Sequence, residues 1–209
     1  MFRPAAFAVP DPGPLLTGLL AEVAATVVTV GPQGLTSSIV PLLFDADAGP
    51  RGTLSGHVSR GNPIVRERHG GEALVVVTGV AGYITPSWYP SKAEHARVVP
   101  TWDYVTVEAA GPLVLRDDPG WLLDLVSRLT DRHEATRVEP WSVADAPEDY
   151  VAATLKGIVG IELALTRLVG KAKLSQNRSE ADIAGVIAGL RADGTAASLA
   201  LADAVEQAG

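Results

Sequence analysis

The chain has no cysteine, one methionine and eleven aromatic residues among 209. Without cysteine there is no disulfide, no thiolate nucleophile and no thiolate metal site. Its apolar runs, such as residues 73–77, fall far short of the length that crosses a bilayer. The N-terminal M-F-R-P-A-A-F-A-V-P stretch has early prolines and no sustained apolar core, so it makes a poor signal peptide. Positive charge is also scarce: 17 Lys and Arg face 24 Asp and Glu, a formal net charge of −7. That balance argues against general nucleic-acid binding, which needs a basic surface to displace counterions. Together these absences point to a cytoplasmic protein that does not enter a membrane.

What is present is ordinary for a globular protein: 47% hydrophobic and 20% charged residues, with a length sufficient for a sizeable core. Two segments are locally basic. One runs from Arg51 to His69 with Arg60, Arg66 and Arg68; the other runs from Arg167 to Arg178 with Lys171 and Lys173. Each is read either as a solvated edge or as a place for a phosphate.

The few aromatics are clustered. Five of the eleven lie between Tyr83 and Tyr104, in Y-I-T-P-S-W-Y-P-S-K and V-V-P-T-W-D-Y. Pro86, Pro90 and Pro100 exclude a continuous helix there and fix local φ. The segment predicts a stiff loop that either presents Trp and Tyr faces to a planar ligand or plugs the core with them.

Periodicity predicts a helix after Asp11-Pro12, with Leu15, Leu16, Leu19, Leu20 and Val23 at helical spacing. Strands are predicted over 25–30, 35–44, 52–59, 73–85 and 104–115, and a sixth alternates through Ile161, Leu163 and Leu165. Asp118-Pro119 caps a second helix carrying Trp121, Leu122, Leu125, Val126 and Leu129. Shorter helices follow at Asn62-Pro63 and at 147–156. Ser179-x-x-Asp182 resembles a capping box with a shorter acid. It opens a helix through Ile183, Val186, Ile187 and Leu190 that ends near Gly194, and an Ala-rich helix closes the chain. Short links between the first four strands imply antiparallel pairing. The expected fold is α+β, an antiparallel barrel of about six strands with peripheral helices.

Three segments carry donors. G-H-V-S-R-G-N-P ends one strand and opens a helix; alternation puts His57 and Ser59 on one face, and Arg60 with free backbone N–H groups at the helix start suits a phosphate. The alternative is an ordinary N-cap at Asn62 with a surface arginine. T-S-S-I-V-P-L puts small hydroxyls on a neighbouring strand, where Pro41 marks a margin or bulge. K-A-K-L-S-Q-N-R, from Lys171 to Arg178, is read as a donor-rich loop. Of the four histidines only His57 sits in a motif, and His133-Glu134 lacks the second histidine of a zinc site. No metal site and no catalytic residue is assigned.

Taken in order, Gly56-His57 with Arg60 and Asn62-Pro63, residues 83–90, 98–104, 145–150, 158–162 and 173–178 resemble the PaiB-type family of FMN-binding negative transcriptional regulators. The resemblance runs from Phe2 to Leu190. It implies the split β-barrel of the group that includes pyridoxamine phosphate oxidases and flavin reductases, a homodimer, and FMN near the subunit interface. It further implies an FMN-binding split-barrel domain over 1–175 and a C-terminal helical extension over 176–209, packed on the barrel or the dimer partner. By the same resemblance, Ser59 and Arg60 hold the FMN phosphate with Ser37 or Ser38, supported by His57 and Asn62. Trp102 and Tyr104 lie beside the isoalloxazine or ribityl chain, and Lys173, Ser175, Gln176 and Asn177 contact the flavin or line the partner's side. The implied function is a negative transcriptional regulator or flavin-state sensor with a DNA or protein partner; the alternative is a flavin-dependent oxidoreductase. Three positions depart from the family pattern: Ile39 replaces a His, Val80-Ala81 replaces Pro-His, and Ala172 replaces a Trp.

Overall fold

The computed structural model describes residues 1–66 and 71–208. Arg68 and His69, counted in the first basic segment, lie outside the described residues. The elements in chain order are β1 (Ala8–Val9), α1 (Pro12–Glu22), β2 (Ala25–Gly31), β3 (Gly34–Val40), β4 (Leu42–Asp45), β5 (Thr53–Ser59) and α2 (Pro63–Arg66). They continue with β6 (Glu72–Ile84), α3 (Ser91–His95), β7 (Thr101–Arg116), α4 (Pro119–Glu134), α5 (Glu148–Leu155), β8 (Ile158–Ala164), β9 (Arg167–Lys173), α6 (Glu180–Asp193) and α7 (Ala196–Ala208).

The fold is α+β and its ladders are antiparallel. Strand order is β3-β2-β6-β7-β8-β5-β4, with β9 paired to β7 and β1. The sheet has nine strands among the described residues, not six. Pro41 is one reason. The predicted strand over 35–44 breaks there, and its halves become β3 and β4, the two ends of the sheet path. Proline lacks the N–H a central ladder needs, so the chain leaves one edge and begins the other. The other additions are short β1 and β9, a strand where a donor-rich loop was expected.

Two compact units make up the chain. One comprises Pro12–Val77 and Glu108–Leu168; the other comprises Met1–Asp11, Thr78–Val107 and Val169–Gly209. In the first unit, β5 alternates: Leu54, Gly56 and Val58 are buried, while Thr53, Ser55, His57 and Ser59 face the other way. Leu43, Leu125 and Leu129 form a cluster against which Trp121 packs. α4 begins where Asp118 accepts a hydrogen bond from Trp121 N at 2.7 Å, as its Asp-Pro start predicts. Glycine at position 160 is required, because a Cβ there would meet the Trp121 ring.

In the second unit, the aromatic segment does two different jobs. Tyr83 is the last residue but one of β6 and Trp102 the second of β7, and their rings meet edge to face at 6.3 Å. Between them a 3-10 turn over Pro86–Trp88 and helix α3 bring Trp88 and Tyr89 to α6. Trp88 lies over Gly185 and Gly189, where a Cβ would clash with it. Tyr89 is buried, with the Arg178 guanidinium 4.8 Å from its ring centre. α6 starts at Ser179, whose side chain accepts from Asp182 N, and ends at Gly194 in the left-handed region.

Candidate functional site

The candidate residues fall into two constellations, one in each unit. In the first, β3 separates two adjacent serines. Strand alternation sends Ser38 inward with Thr36, while Ser37 shares the outer face with Leu35 and Ile39. Ser38 Oγ accepts from Asn62 Nδ2 at 3.0 Å. Asn62 Oδ1 in turn accepts from Ile64 N at 2.9 Å and caps α2.

The helix start is not a free anion cradle. Arg60 N donates to Gly157 O, Asn62 N to Ser59 O, and Val65 N and Arg66 N to Asn62 O. Gly61 N is directed to Ser59 Oγ at 3.3 Å. These donors are spent on the turn itself. Arg60 is also engaged. Its Nε donates to Lys156 O at 2.9 Å, and its two terminal nitrogens reach the Asp117 carboxylate at 2.8 and 2.6 Å. This hydrogen-bonded pairing raises the Arg60 pKa above its ordinary value and lowers that of Asp117. Ser59 is exposed. His57 sits on β5 opposite Gly160; burial lowers its pKa, and its Nδ1 is buried without a hydrogen-bond partner.

The same unit holds a cavity of about 780 Å³, walled by Leu122, Val151 and Leu155, with Arg60, Asp117 and Glu148 on its lining. Its size suits a small ligand. Its charged lining is mixed: Arg60 is matched by Asp117, and Lys156 stands with Glu148 on the same wall.

In the second unit, β7 presents Trp102 and Tyr104 on one face while Asp103 and Val105 turn inward. Trp102 is 58% exposed and Tyr83 beside it is also open, which leaves flat aromatic surface available. Asp103 is fully buried. Lys173 Nζ donates to its Oδ1 at 3.0 Å, to Thr101 Oγ1 at 2.7 Å and to Trp102 O at 2.6 Å. Ser175 Oγ donates to the other Asp103 oxygen at 2.6 Å. Ser175 holds a positive φ of 63°. Gln176 closes the same turn by accepting from Leu174 N and donating to Ala172 O, both at 2.8 Å. Lys173, Ser175 and Gln176 therefore fix the turn, and Asn177 is the exposed member.

One residue of the donor-rich segment that the flavin assignment left out belongs here. Lys171 is 7% exposed and donates to Tyr104 Oη at 2.6 Å, with its ammonium 4.9 Å from that ring's centre. The signal was its place in an i, i+2 pair with Lys173, which in a strand puts both on one face. The donor-rich segment had been read as a loop, so that alternation was not applied.

The departures are placed as follows. Ile39 stands on the outer face of β3, 78% exposed. Val80 and Ala81 lie within β6, and Ala172 lies within β9.

The donor chemistry fits a flavin in kind: open aromatic faces, a phenol, a buried ammonium, an exposed amide and small hydroxyls. Residues 1–167 match the family described as "Putative FMN-binding domain". An uncharacterized protein of Emericella nidulans is 31% identical over 207 residues, covering 84% of this chain and 82% of that protein. The protease synthase and sporulation protein PAI 2 of Bacillus subtilis is 31% identical over 135 residues, 64% of this chain and 62% of its own. Among solved structures, the FAD and heme binding protein from Mycobacterium smegmatis aligns over 82% of this chain and 76% of its own. Its TM-score is 0.54 at 20% identity, a likeness of fold.

Proposed function

The chain belongs to the family of FMN-binding domains and its cofactor is FMN; from that premise we propose that it is a flavin-state sensor acting as a homodimer. The observation that carries this reading is the open Tyr83–Trp102 pair beside Tyr104, in a unit whose remaining polar groups are tied down around Asp103. In this reading the isoalloxazine or ribityl chain lies against Trp102 and Tyr104, with Asn177 at its edge. Taken by itself, the first unit offers Ser59, Ser37 or Ser38 and Arg60, with His57 and Asn62, as the proposed phosphate contacts. Arg60 then exchanges part of its Asp117 contact for the phosphate.

The homodimer draws support from one face of the first unit. Leu35 and Ile39 on β3, Val28 and Val30 on β2, and Leu74 and Val76 on β6 share the outer side of the sheet by register. Thr26 and Ser37 lie on it too, and Glu72 marks its margin at the start of β6. A largely apolar sheet face suits a second copy of itself.

A protein partner is favoured over DNA for the sensor's output. Net charge is −7, and arginines 60, 116, 128, 167 and 191 are each paired with a carboxylate. A net negative surface is poorly suited to replacing counterions. The relationship to a Bacillus protein named for protease synthesis and sporulation also supports a regulatory role over a metabolic one.

The deciding experiment is the visible spectrum of the purified protein after FMN addition and desalting. A retained flavin band, with no specific operator shift at moderate salt, supports the sensor. Absence of retained flavin at micromolar protein overturns it. Steady NAD(P)H consumption with an acceptor supports a second reading, a flavin-dependent oxidoreductase. The observation favouring that alternative is the buried ammonium of Lys171 at Tyr104, since charge near a flavin tunes its chemistry.

A further inference from the structure

We propose that Lys171 is the counter-charge for the negative charge that the FMN ring carries when reduced, with Tyr104 as its positioning residue. The inference rests on the reading that the isoalloxazine lies beside Trp102 and Tyr104.

The argument begins with an imbalance. Lys171, Lys173 and Asp103 form a sheltered group around β7 and β9, and Asp103 is matched by Lys173 at 3.0 Å. No described carboxylate comes within ion-pair distance of Lys171. It is nonetheless more than nine-tenths buried, with the Phe2 ring 6.0 Å and the Tyr104 ring 4.9 Å from its ammonium. Burying an ammonium without an anion is costly, and aromatic faces with one phenol offset only part of that cost. Such a charge is retained where an anion arrives.

The geometry also restricts which anion. Lys171 donates to Tyr104 Oη at 2.6 Å, so two of its three N–H bonds remain for other acceptors. Tyr104 shares its strand face with Trp102, the exposed aromatic. A flat ring held there brings its heteroatoms toward the lysine. Two electrons and one proton added to an isoalloxazine leave one negative charge on the ring. The oxidised ring is neutral, so Lys171 discriminates between the two states. The lysine on the other side of Ala172 is excluded from this role, because its three donors are already committed.

The test uses the full-length protein. Affinities for FMN and riboflavin are measured anaerobically, oxidised and after reduction by dithionite, for wild type, Lys171→Met and Lys171→Arg. Lys171→Met is expected to lower the ratio of reduced to oxidised FMN affinity about tenfold or more, with Lys171→Arg restoring most of it. Riboflavin should show the same pattern, since the charge is on the ring. An unchanged ratio of reduced to oxidised affinity overturns the proposal. So does a loss limited to FMN over riboflavin in the oxidised state, which would put the phosphate at Lys171. Equal losses in both states with a lowered Tm make the lysine structural and also overturn it. Wild-type protein that binds no FMN overturns the underlying reading and this inference with it.

Discussion

The Asp182 carboxylate grips Ser91 twice: one oxygen accepts from Ser91 N at 3.1 Å and the other from Ser91 Oγ at 2.8 Å. Asp182 sits in the first turn of α6 and Ser91 begins α3, so the pair pins the C-terminal helix to the segment after the aromatic turn. Burial alone would raise the Asp182 pKa, but the bonds from Ser91 and Ser179 outweigh it and hold the value below 3.8. Asp182→Ala is expected to destabilise the fold by about 2 kcal/mol and Ser91→Ala by about 1 kcal/mol in urea unfolding. The folded pKa is depressed, so this contribution is present above pH 3.8 and is lost as pH falls through the folded value. Equal stability of Asp182→Ala and wild type at neutral pH would remove the pin.

Trp88 gives a second prediction about the same helix. Its ring occupies the space where Gly189 would carry a Cβ, and its backbone does the same at Gly185. Gly189→Val must displace the indole, at a cost of about 1–3 kcal/mol for overpacking. Gly18, where an added Cβ meets nothing within 4 Å, is the control: Gly18→Ala is expected to be neutral or slightly stabilising because it lies within α1. Thermal melts of the two variants separate packing from helix propensity.

Much of this architecture was legible because it depends on local chemistry. Asp11-Pro12 and Asp118-Pro119 start helices, Ser179 caps α6, and Gly194 ends it, as propensity dictates. The capping box was legible only by half. Ser179 Oγ accepts from Asp182 N, yet the acid turns away to Ser91, a partner 91 residues distant. β9 was missed for a related reason. Lys171 and Lys173 look like solvated charges until Tyr104, Asp103 and Thr101 are brought to them from β7. At Arg60 a phosphate site and an ordinary N-cap at Asn62 with a surface arginine stayed open, because nothing local foretells Asp117; the structure shows the Asn62 cap and the helix-start N–H groups in use. Pro41 was correctly marked as a margin; that it sends β3 and β4 to opposite ends of the sheet is a property of the whole topology.

The Arg60–Asp117 pairing makes the phosphate assignment testable in two directions. Arg60→Ala should weaken FMN binding about tenfold or more. Asp117→Asn should strengthen it, because it removes the competitor that now occupies the guanidinium. Titration of FMN into each variant checks this. Weakening by both substitutions would mean that the pair serves the fold and that the phosphate lies elsewhere.

The outer face of β3 and β2 makes the homodimer testable by charge. Ile39 is 78% exposed and lies beside Thr26 in register. Ile39→Lys places an ammonium on the edge strand of a face that otherwise carries none. It should convert a dimer to a monomer in sedimentation equilibrium, with a loss of about 2 kcal/mol or more in association and little change in monomer stability. A dimer that survives both Ile39→Lys and Leu35→Lys would be formed by another surface.

His57 supplies a pH dependence of the first unit below pH 6.5. Burial favours its neutral form and lowers its pKa from the ordinary 6.5, while its Nδ1 has no hydrogen-bond partner. In the unfolded chain the imidazole regains the ordinary value. Below pH 6.5 the unfolded state therefore takes up a proton that the folded state resists, and stability falls as pH drops from 6.5 toward the folded value. His57→Gln cannot titrate. Its stability should decline less steeply than that of wild type between pH 7 and pH 5, a window above the depressed Asp182 value, so the two groups are read separately. Urea midpoints at intervals across that range give the two slopes. Parallel slopes would mean that His57 keeps its ordinary pKa in the folded protein. Repeating the series with FMN present separates two roles: a slope difference that vanishes on FMN binding ties His57 to the pocket, and one that persists ties it to the packing of β5.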